Sequence, residues 1–172
     1  MSSLEDAIGA LEHEEGREPV GSYVLFNAVD PAVATRAASG SWHPAKRGES
    51  TTDRDVRARR AVYIDVDAER ATDEALGHAV AKATDTLAWL EERVPSAAIG
   101  AGHSGNGASL FVALDHLPER PDLARPVKTL VAGLDHRFSD ARAKVDRRVS
   151  DAKRLCPAFG TTKRKGAAGI SV

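Results

Sequence analysis

Apolar and polar residues alternate most clearly in segment 61–68, whose sequence is AVYIDVDA. Successive side chains of a strand point to opposite faces, so this alternation predicts a strand. The apolar face would consist of Val62, Ile64, Val66 and Ala68, and the opposite face of Tyr63, Asp65 and Asp67. The first face can pack beneath helices, and the second places two carboxylates side by side.

Two longer segments, 72–93 and 122–138, have apolar residues at helical spacing, and Pro95 marks the end of the first. The residues that form these apolar stripes are Leu76, Ala79, Val80, Ala83, Leu87 and Leu90 in the first segment and Val127, Leu130, Val131 and Leu134 in the second. Shorter helices are predicted over residues 3–14 and after Pro31.

Further strands are predicted over residues 22–27, 96–100 and 108–114, because strand-forming residues there are bounded by Gly, Asp-Pro or Pro signals. Segment 38–53 is rich in Gly, Ser, Thr and charges, which is typical of an exposed loop. Strands interleaved with helices in one chain of 172 residues predict a single α/β or α+β domain over residues 1–172.

Composition narrows the class of protein without naming a function. A single cysteine, Cys156, excludes a disulfide framework, and no apolar run approaches the roughly 20 residues of a membrane span. The acidic start lacks a signal-peptide pattern, so we expect a cytoplasmic protein without a membrane partner. The net charge is −1, but residues 121–172 carry a balance of +7. A basic C-terminal third is compatible with an anionic partner and equally with solvated helix faces.

The Asp65–Asp67 pair is the first candidate for chemistry. Two residues apart on a strand, the carboxylates would lie roughly 6.5 Å apart and repel each other unless a cation lies between them. Hard oxygen ligands suit Mg²⁺ or Mn²⁺ in a phosphoryl-transfer site. The alternative is a solvated strand face, or an acid paired with Arg59 or Arg60. An EF-hand is excluded, because Arg70 and Leu76 occupy the positions that require Gly and Glu.

A glycine-rich turn follows the predicted strand 96–100. Residues 100–105 match the dinucleotide pattern GxGxxG, but a strand rather than a helix is predicted after them, so the pattern indicates a hairpin instead. Its turn would be Ser104, Gly105, Asn106 and Gly107, where glycines let a phosphate or base approach the backbone. Ser109 would point into whatever site the turn borders. The alternative is a hairpin turn without a ligand.

Five motifs in order resemble the bifunctional primase-polymerase branch of the archaeo-eukaryotic primases. They are the Tyr-containing strand 23–27 ending in Asn, the Arg-rich approach 57–60 to the Asp strand, the Thr-Asp-Glu helix start at 72–74, the Ser-Gly-Asn-Gly turn at 104–107, and Val145-Asp146 followed by Arg154-Leu155 and the Gly-Thr-basic-Lys-Gly stretch 160–166. Each motif is common alone, and the resemblance comes from their order and spacing between residues 21 and 166.

The resemblance implies an α+β fold, with an antiparallel sheet like that of the RNA-recognition motif, helices and a second small βα unit. It implies template-directed synthesis from nucleoside triphosphates on a DNA template and primer, in a reaction that uses two Mg²⁺ or Mn²⁺ ions. It also implies a helicase or another replication protein as a partner. Asp65, Asp67 and Asp146 would ligate the metals. Nucleotide would contact Ser104, Gly105, Asn106, Gly107, Ser109, Arg154, Lys163 and Lys165.

The chain also departs from the family pattern. Ser109 stands where the family usually has a His that binds nucleotide phosphate, and His103 is a candidate substitute. The family's usual leading strand is missing and the chain stops soon after Gly166, which fits a trimmed, compact or degenerate member. The second hypothesis is therefore a catalytically degenerate module that binds nucleic acid or nucleotide, and a nuclease that uses the same carboxylates is a third. Alternative roles are an ion pair with Lys144, Arg147 or Arg148 for Asp146, and a solvated tail for residues 163–165.

Overall fold

Two long antiparallel strands form the centre of the structure. The computed structural model of the chain describes residues 23–36, 49–69 and 72–159, and the backbone of two further strands near the C-terminus. The strands are β1 (Tyr23–Leu25), β2 (Ala28–Val29), β3 (Val56–Ala68), β4 (Ile99–His103), β5 (Gly107–Pro118), β6 (Ala143–Val145), β7 (Leu155–Pro157), β8 (Thr162–Lys165) and β9 (Ala168–Ser171). The helices are α1 (Asp73–Arg93) and α2 (Ala124–Phe138), with short 3-10 turns at Pro31–Arg36, Asp53–Asp55, Pro121–Leu123 and Arg147–Ser150.

The main sheet is antiparallel in every described pairing. Its strand order is β2-β3-β5-β4, and β6 pairs with the C-terminal end of β3 on the side opposite β5. Strands β1 and β7 form a separate antiparallel pair, and β8 pairs with β9. The chain therefore has an α+β fold, which is the fold class that the sequence predicts.

The core lies on one face of this sheet. On β3 the buried residues Val62, Ile64 and Val66 face Leu110 of β5 and its apolar neighbours. Both helices cover this face with the stripes predicted from the sequence. The most deeply buried residues of those stripes are Ala79, Ala83 and Leu90 of α1 and Val131 and Leu134 of α2.

Helix α1 begins where the capping pattern predicts. The Thr72 side chain accepts a hydrogen bond from the Ala75 backbone N–H at 3.2 Å, which satisfies one of the free donors of the first turn. Asp73 and Glu74 follow in that turn, where the positive end of the helix dipole favours acidic side chains. Neither helix of the described residues has the length and apolar character required to span a bilayer.

Several predicted bounds are shifted. Strand β3 begins five residues earlier than predicted and β5 extends to Pro118, because Val56 and Ala58 continue the buried face on either side of the exposed Arg57. Strand β4 occupies 99–103 rather than 96–100, and segment 22–27 contains only the three-residue β1. The predicted helix 3–14 and most of the loop 38–53 lie outside the described residues.

A buried ion pair ties the far end of β3 to β5. The Arg59 side chain is 4% exposed; its Nε donates to Glu119 Oε2 at 2.7 Å and its Nη1 donates to the Ser150 carbonyl at 3.2 Å. The sequence leaves open an ion pair between Arg59 and Asp65 or Asp67. In the structure Arg59 is paired with Glu119 instead.

Replacement of Glu119 by Gln is expected to lower the free energy of unfolding by about 3–5 kcal/mol, because the buried guanidinium loses its counter-charge. Urea denaturation measures this as a lower midpoint at unchanged slope. The control is Glu92→Gln, which removes an exposed pair with Arg93 and should leave the midpoint in place. Equal midpoints for the two variants would show that burial adds nothing to the Arg59–Glu119 pair.

Candidate functional site

The face of the sheet opposite the core carries the predicted acids. We call it the carboxylate face: Tyr63, Asp65 and Asp67 of β3 together with Ser109 and Phe111 of β5. Asp65 is paired with Ser109 and Asp67 with Gly107 in the strand register. Asp65 and Asp67 are each half-buried, because strand alternation places them opposite Ile64 and Val66 of the core.

The fold also brings Asp146 next to Asp65 and Asp67, although Asp146 lies 79 residues after Asp67 in the sequence. Strand β6 pairs with β3 through Val145 and Val66, and the Asp146 backbone N–H donates to the Asp65 carbonyl at 2.8 Å. The Asp146 side chain accepts from the Arg148 backbone N–H at 2.9 Å and so caps the 3-10 turn Arg147–Ser150. The three predicted metal ligands therefore come from adjacent backbone positions.

Arg148 is a cation in direct contact with this group of acids. Its Nε donates to Asp146 Oδ1 at 3.1 Å. The pKa of Arg148 is raised mainly by this hydrogen bond, then by the charge of Asp146, and further by the charge of Asp67. The ion pair with Arg148 is one of the alternatives the sequence left open for Asp146. Because the Arg148 side chain is 88% exposed, it is free to leave when another cation binds.

The predicted hairpin turn joins β4 to β5 and touches Asp67. The Ser104 backbone N–H donates to the Gly107 carbonyl at 3.1 Å, and Gly105 has φ 83°, a conformation that favours glycine. Asn106 fastens the turn to the end of β3, because its Nδ2 donates to Asp67 Oδ1 at 3.2 Å and its carbonyl accepts from the Ala68 N–H at 2.8 Å. Asn106 thus positions Asp67, and its predicted contact with nucleotide stays a prediction.

The hairpin turn also contains a buried hydroxyl group, that of Ser104. Ser104 is 2% exposed, and among the described residues its Oγ has no hydrogen-bond partner. A buried hydroxyl without a partner costs free energy that a ligand oxygen or a water would recover. This unpaired group beside the carboxylate face is an observation that favours a polar ligand at the turn.

Ser109 does not point towards solvent. It is fully buried, and its Oγ lies 2.8 Å from both Asp65 Oδ1 and Tyr63 Oη. The sequence places Ser109 on the correct face, but the structure places it beneath the surface and in contact with a predicted metal ligand. Contact between Ser109 and nucleotide stays a prediction without support from this arrangement. His103, the candidate substitute, is exposed at the end of β4.

Aromatic rings cover the half of the carboxylate face that is remote from the turn. Phe111 lies against Phe26, Tyr63 and Phe159, with ring centroids 4.4, 5.1 and 5.5 Å away. Phe26 and Phe159 remain 37% and 41% exposed. The sequence places Tyr63 on the carboxylate face, and in the fold its ring is buried. The sequence gives no indication that Phe159 belongs to this aromatic cluster, because Phe159 and Phe111 are distant in the chain and only folding brings the two rings together.

Arg154 and Cys156 border the same face from β7 and the residue before it. Arg154 Nε donates to Asp151 Oδ1 at 2.9 Å, so this predicted phosphate ligand is held in a local ion pair. Burial raises the pKa of the Cys156 thiol to about 12; the charge of Asp65 raises it further, and that of Arg154 opposes the shift. The Cys156 thiol is therefore close enough to both Asp65 and Arg154 for their charges to affect its pKa. The predicted contacts of Lys163 and Lys165, on β8, lie outside the described side chains.

Cys156 is expected to be unreactive in the folded protein, since it is 1% exposed and the thiolate is disfavoured. A chromogenic disulfide reagent at pH 8 should label it at the rate of unfolding, and promptly in denaturant. Rapid stoichiometric labelling of the native protein would show that Cys156 is not buried in the folded state.

The three aspartates suit a hard divalent cation, because carboxylate oxygens are the ligands that Mg²⁺ and Mn²⁺ prefer. Each carboxylate also accepts a hydrogen bond from a neighbouring side chain: Asp65 from Ser109, Asp67 from Asn106 and Asp146 from Arg148. Within the described residues no three His, Cys, Asp or Glu side chains converge as ligands of one ion. The backbone therefore assembles the acids, while their side chains are turned to these donors.

A separate cleft of about 610 Å³ opens beside the end of β3. It is lined by Glu69, Thr72, Glu74, Ala75, Ala141 and Arg142. None of the three aspartates lines it, so the predicted site is the carboxylate face and not this cleft.

Comparisons with protein-family models, with curated proteins and with solved structures found no match for the chain.

Proposed function

We propose that this chain is a metal-dependent nucleotidyltransferase of the archaeo-eukaryotic primase type, which extends a primer on a DNA template from nucleoside triphosphates. The observation that carries the proposal is the meeting of three aspartates from two segments. Asp65 and Asp67 share one face of β3, and the Asp146 N–H is hydrogen-bonded to the Asp65 carbonyl at 2.8 Å. Three adjacent acids repel one another, and a bound cation offsets that repulsion.

Asp65, Asp67 and Asp146 would hold two Mg²⁺ or Mn²⁺ ions, which, when bound, neutralise phosphate charge and activate an attacking oxygen. The chain itself would place the substrates around them. The turn at Gly105 exposes backbone to an approaching phosphate or base, and the buried Ser104 hydroxyl supplies an unpaired hydrogen-bonding group there. Phosphoryl transfer needs positioning and charge neutralisation more than covalent chemistry, and the turn would contribute to the positioning.

Basic residues would neutralise the triphosphate or the template backbone. We assign this role to Arg154, Lys163 and Lys165, as the family resemblance implies. For Arg154 the assignment requires an exchange, because its guanidinium is now paired with Asp151. In the cell, a helicase or another replication protein would provide the opened template, which is a proposal from the same resemblance.

A second function is a degenerate module that binds nucleotide or nucleic acid without chemistry. The observation that favours it is the state of the acids, since each is engaged by a neighbouring donor and no three ligands converge within the described residues. Against it, a surface that binds phosphates gains nothing from three aspartates.

A primer-extension assay in the presence and absence of a chelator separates these functions. Labelled primer-template is incubated with nucleoside triphosphates and Mn²⁺, and binding is measured in parallel over a salt series. Longer products that require Mn²⁺ support the polymerase. Binding that survives chelation and falls only with salt, without products, supports the module. Shortening of the labelled strand would indicate a nuclease instead.

A further inference from the structure

Two buried hydroxyl groups lie beside the Asp65 carboxylate. Ser109 is opposite Asp65 in the β3–β5 register, and its Oγ donates to Asp65 Oδ1 at 2.8 Å. On the other side the Tyr63 Oη lies 2.8 Å from the same Ser109 Oγ. Tyr63 and Ser109 are both buried, at 8% and 0% exposed. We call these three groups the hydroxyl relay.

The Ser109 hydrogen is directed to the carboxylate, because its Oγ donates to Asp65 Oδ1. The Tyr63 hydroxyl is hydrogen-bonded to Asp65 as well as to Ser109, and either oxygen of the Tyr63–Ser109 pair can be the donor. Both hydroxyls therefore contact the carboxylate, and the three groups form one hydrogen-bonded cluster.

We propose that Ser109, supported by Tyr63, is a positioning residue that fixes the rotamer of the Asp65 carboxylate. The inference rests on the proposed function in one respect, namely that Asp65 is a ligand of the divalent cation. Outer groups that hydrogen-bond a ligating carboxylate orient it, and their loss typically weakens metal binding by about 10–100-fold. The residue that departs from the family pattern thus acts on the carboxylate rather than on the nucleotide.

The burial pattern supports this role over nucleotide contact. A side chain with no exposed surface cannot reach a phosphate without movement of the strands, and Ser109 lies within the β3–β5 pairing, opposite Asp65. The aromatic rings of Phe26, Phe111 and Phe159 close the Tyr63 end of the face. The relay is therefore held by packing and does not depend on a ligand for its geometry.

The test uses the whole chain with four proteins: wild type, Ser109→Ala, Tyr63→Phe and the double variant. Mn²⁺ alone is the probe, and its affinity is measured by water-proton relaxation. Ser109→Ala should weaken Mn²⁺ binding about tenfold and Tyr63→Phe by less. The double variant should lose less affinity than the product of the two single losses, because both hydroxyls belong to one hydrogen-bonded cluster around Asp65. Thr86→Val, which deletes a buried hydroxyl on α1, is the control and should leave the affinity unchanged.

Steady-state extension gives a second readout. Loss of a positioning residue lowers kcat, whereas loss of a nucleotide contact raises KM for the nucleoside triphosphate. Ser109→Ala should therefore reduce kcat about tenfold with KM within about twofold of wild type. An increase in KM at unchanged Mn²⁺ affinity would overturn the proposal and assign Ser109 to the nucleotide.

Thermal unfolding of the same four proteins keeps the inference separate from the proposed function. Each single substitution should lower the midpoint by about 3 °C, and the double variant by less than the sum, because both substitutions break one relay. Additive shifts overturn the relay. A wild type that binds no Mn²⁺ contradicts the proposed function, and non-additive shifts would then still support the relay as the support of Asp65. Wild-type Mn²⁺ affinity in Ser109→Ala overturns the positioning role.

Discussion

Replacement of Asp65 by Asn is expected to abolish Mn²⁺-dependent primer extension while leaving the fold intact. Asparagine keeps the shape of the side chain and can still accept the Ser109 hydrogen bond, but it removes the negative charge that a cation requires. A catalytic metal contributes several kcal/mol of stabilisation to a transferring phosphoryl group, so we expect a loss of about a thousandfold or more. Extension by wild type and variant under identical Mn²⁺ concentrations measures this.

The control for this substitution is Asp115→Asn. Asp115 is an exposed acid on β5, so the same chemical change is made on the same pair of strands, at a position outside the carboxylate face. It should retain extension within about twofold, as expected of a surface substitution. Unfolding midpoints of both variants show whether a loss reflects folding. Full extension by a folded Asp65→Asn protein would remove Asp65 from the active site.

Gly107→Ala is expected to destabilise the protein by about 4 kcal/mol or more. A Cβ atom at this position would lie 1.8 Å from the Val66 carbonyl oxygen, which is part of the central strand and cannot move alone. The substitution must therefore separate β3 from β5 at the Asp67–Gly107 pair or displace the turn. Strain of this kind belongs to the small group of mechanisms that produce very large effects. Urea denaturation, or loss of soluble protein, measures it.

The matched controls make the same substitution in helices. A Cβ added at Gly77 of α1 or Gly133 of α2 meets no atom within 4 Å. Alanine is the better helix former by about 1 kcal/mol, so Gly77→Ala and Gly133→Ala should raise the unfolding midpoint. The same change of residue thus has opposite signs at the two kinds of position. A Gly107→Ala protein as stable as wild type would show that β3 and β5 do not pair in this register.

Local patterns account for the parts of the fold that the sequence predicts well. The alternation around Ile64 identifies the two faces of β3, and Thr72 with the residues after it marks the start of α1. The hairpin turn at Gly105 follows from its glycines and the Asn-Gly pair. These features depend on neighbours within a few residues, so the sequence contains enough information to place them.

The remainder depends on contacts between distant segments. Strand β6 has three residues, too few for an alternation to be visible, yet it carries Asp146 to the Asp65 carbonyl. The sequence predicts which face Ser109 occupies but not that the side chain is buried. Phe26 and Phe159, which contact Phe111 on the same face, come from distant segments of the chain. The family resemblance groups the three aspartates, and the physical link between them is the β3–β6 pairing.

The central claim is that the aspartates of the carboxylate face form one divalent-cation site, and Mn²⁺ titration of wild type, Asp65→Asn and Asp146→Asn tests it most directly. These two acids lie on separate segments that only the fold brings together, so a common loss cannot arise from sequence proximity. We predict saturable binding by wild type and a loss of affinity of at least about tenfold in each variant. Equal binding by all three folded proteins, or no saturable binding by wild type, would contradict the claim.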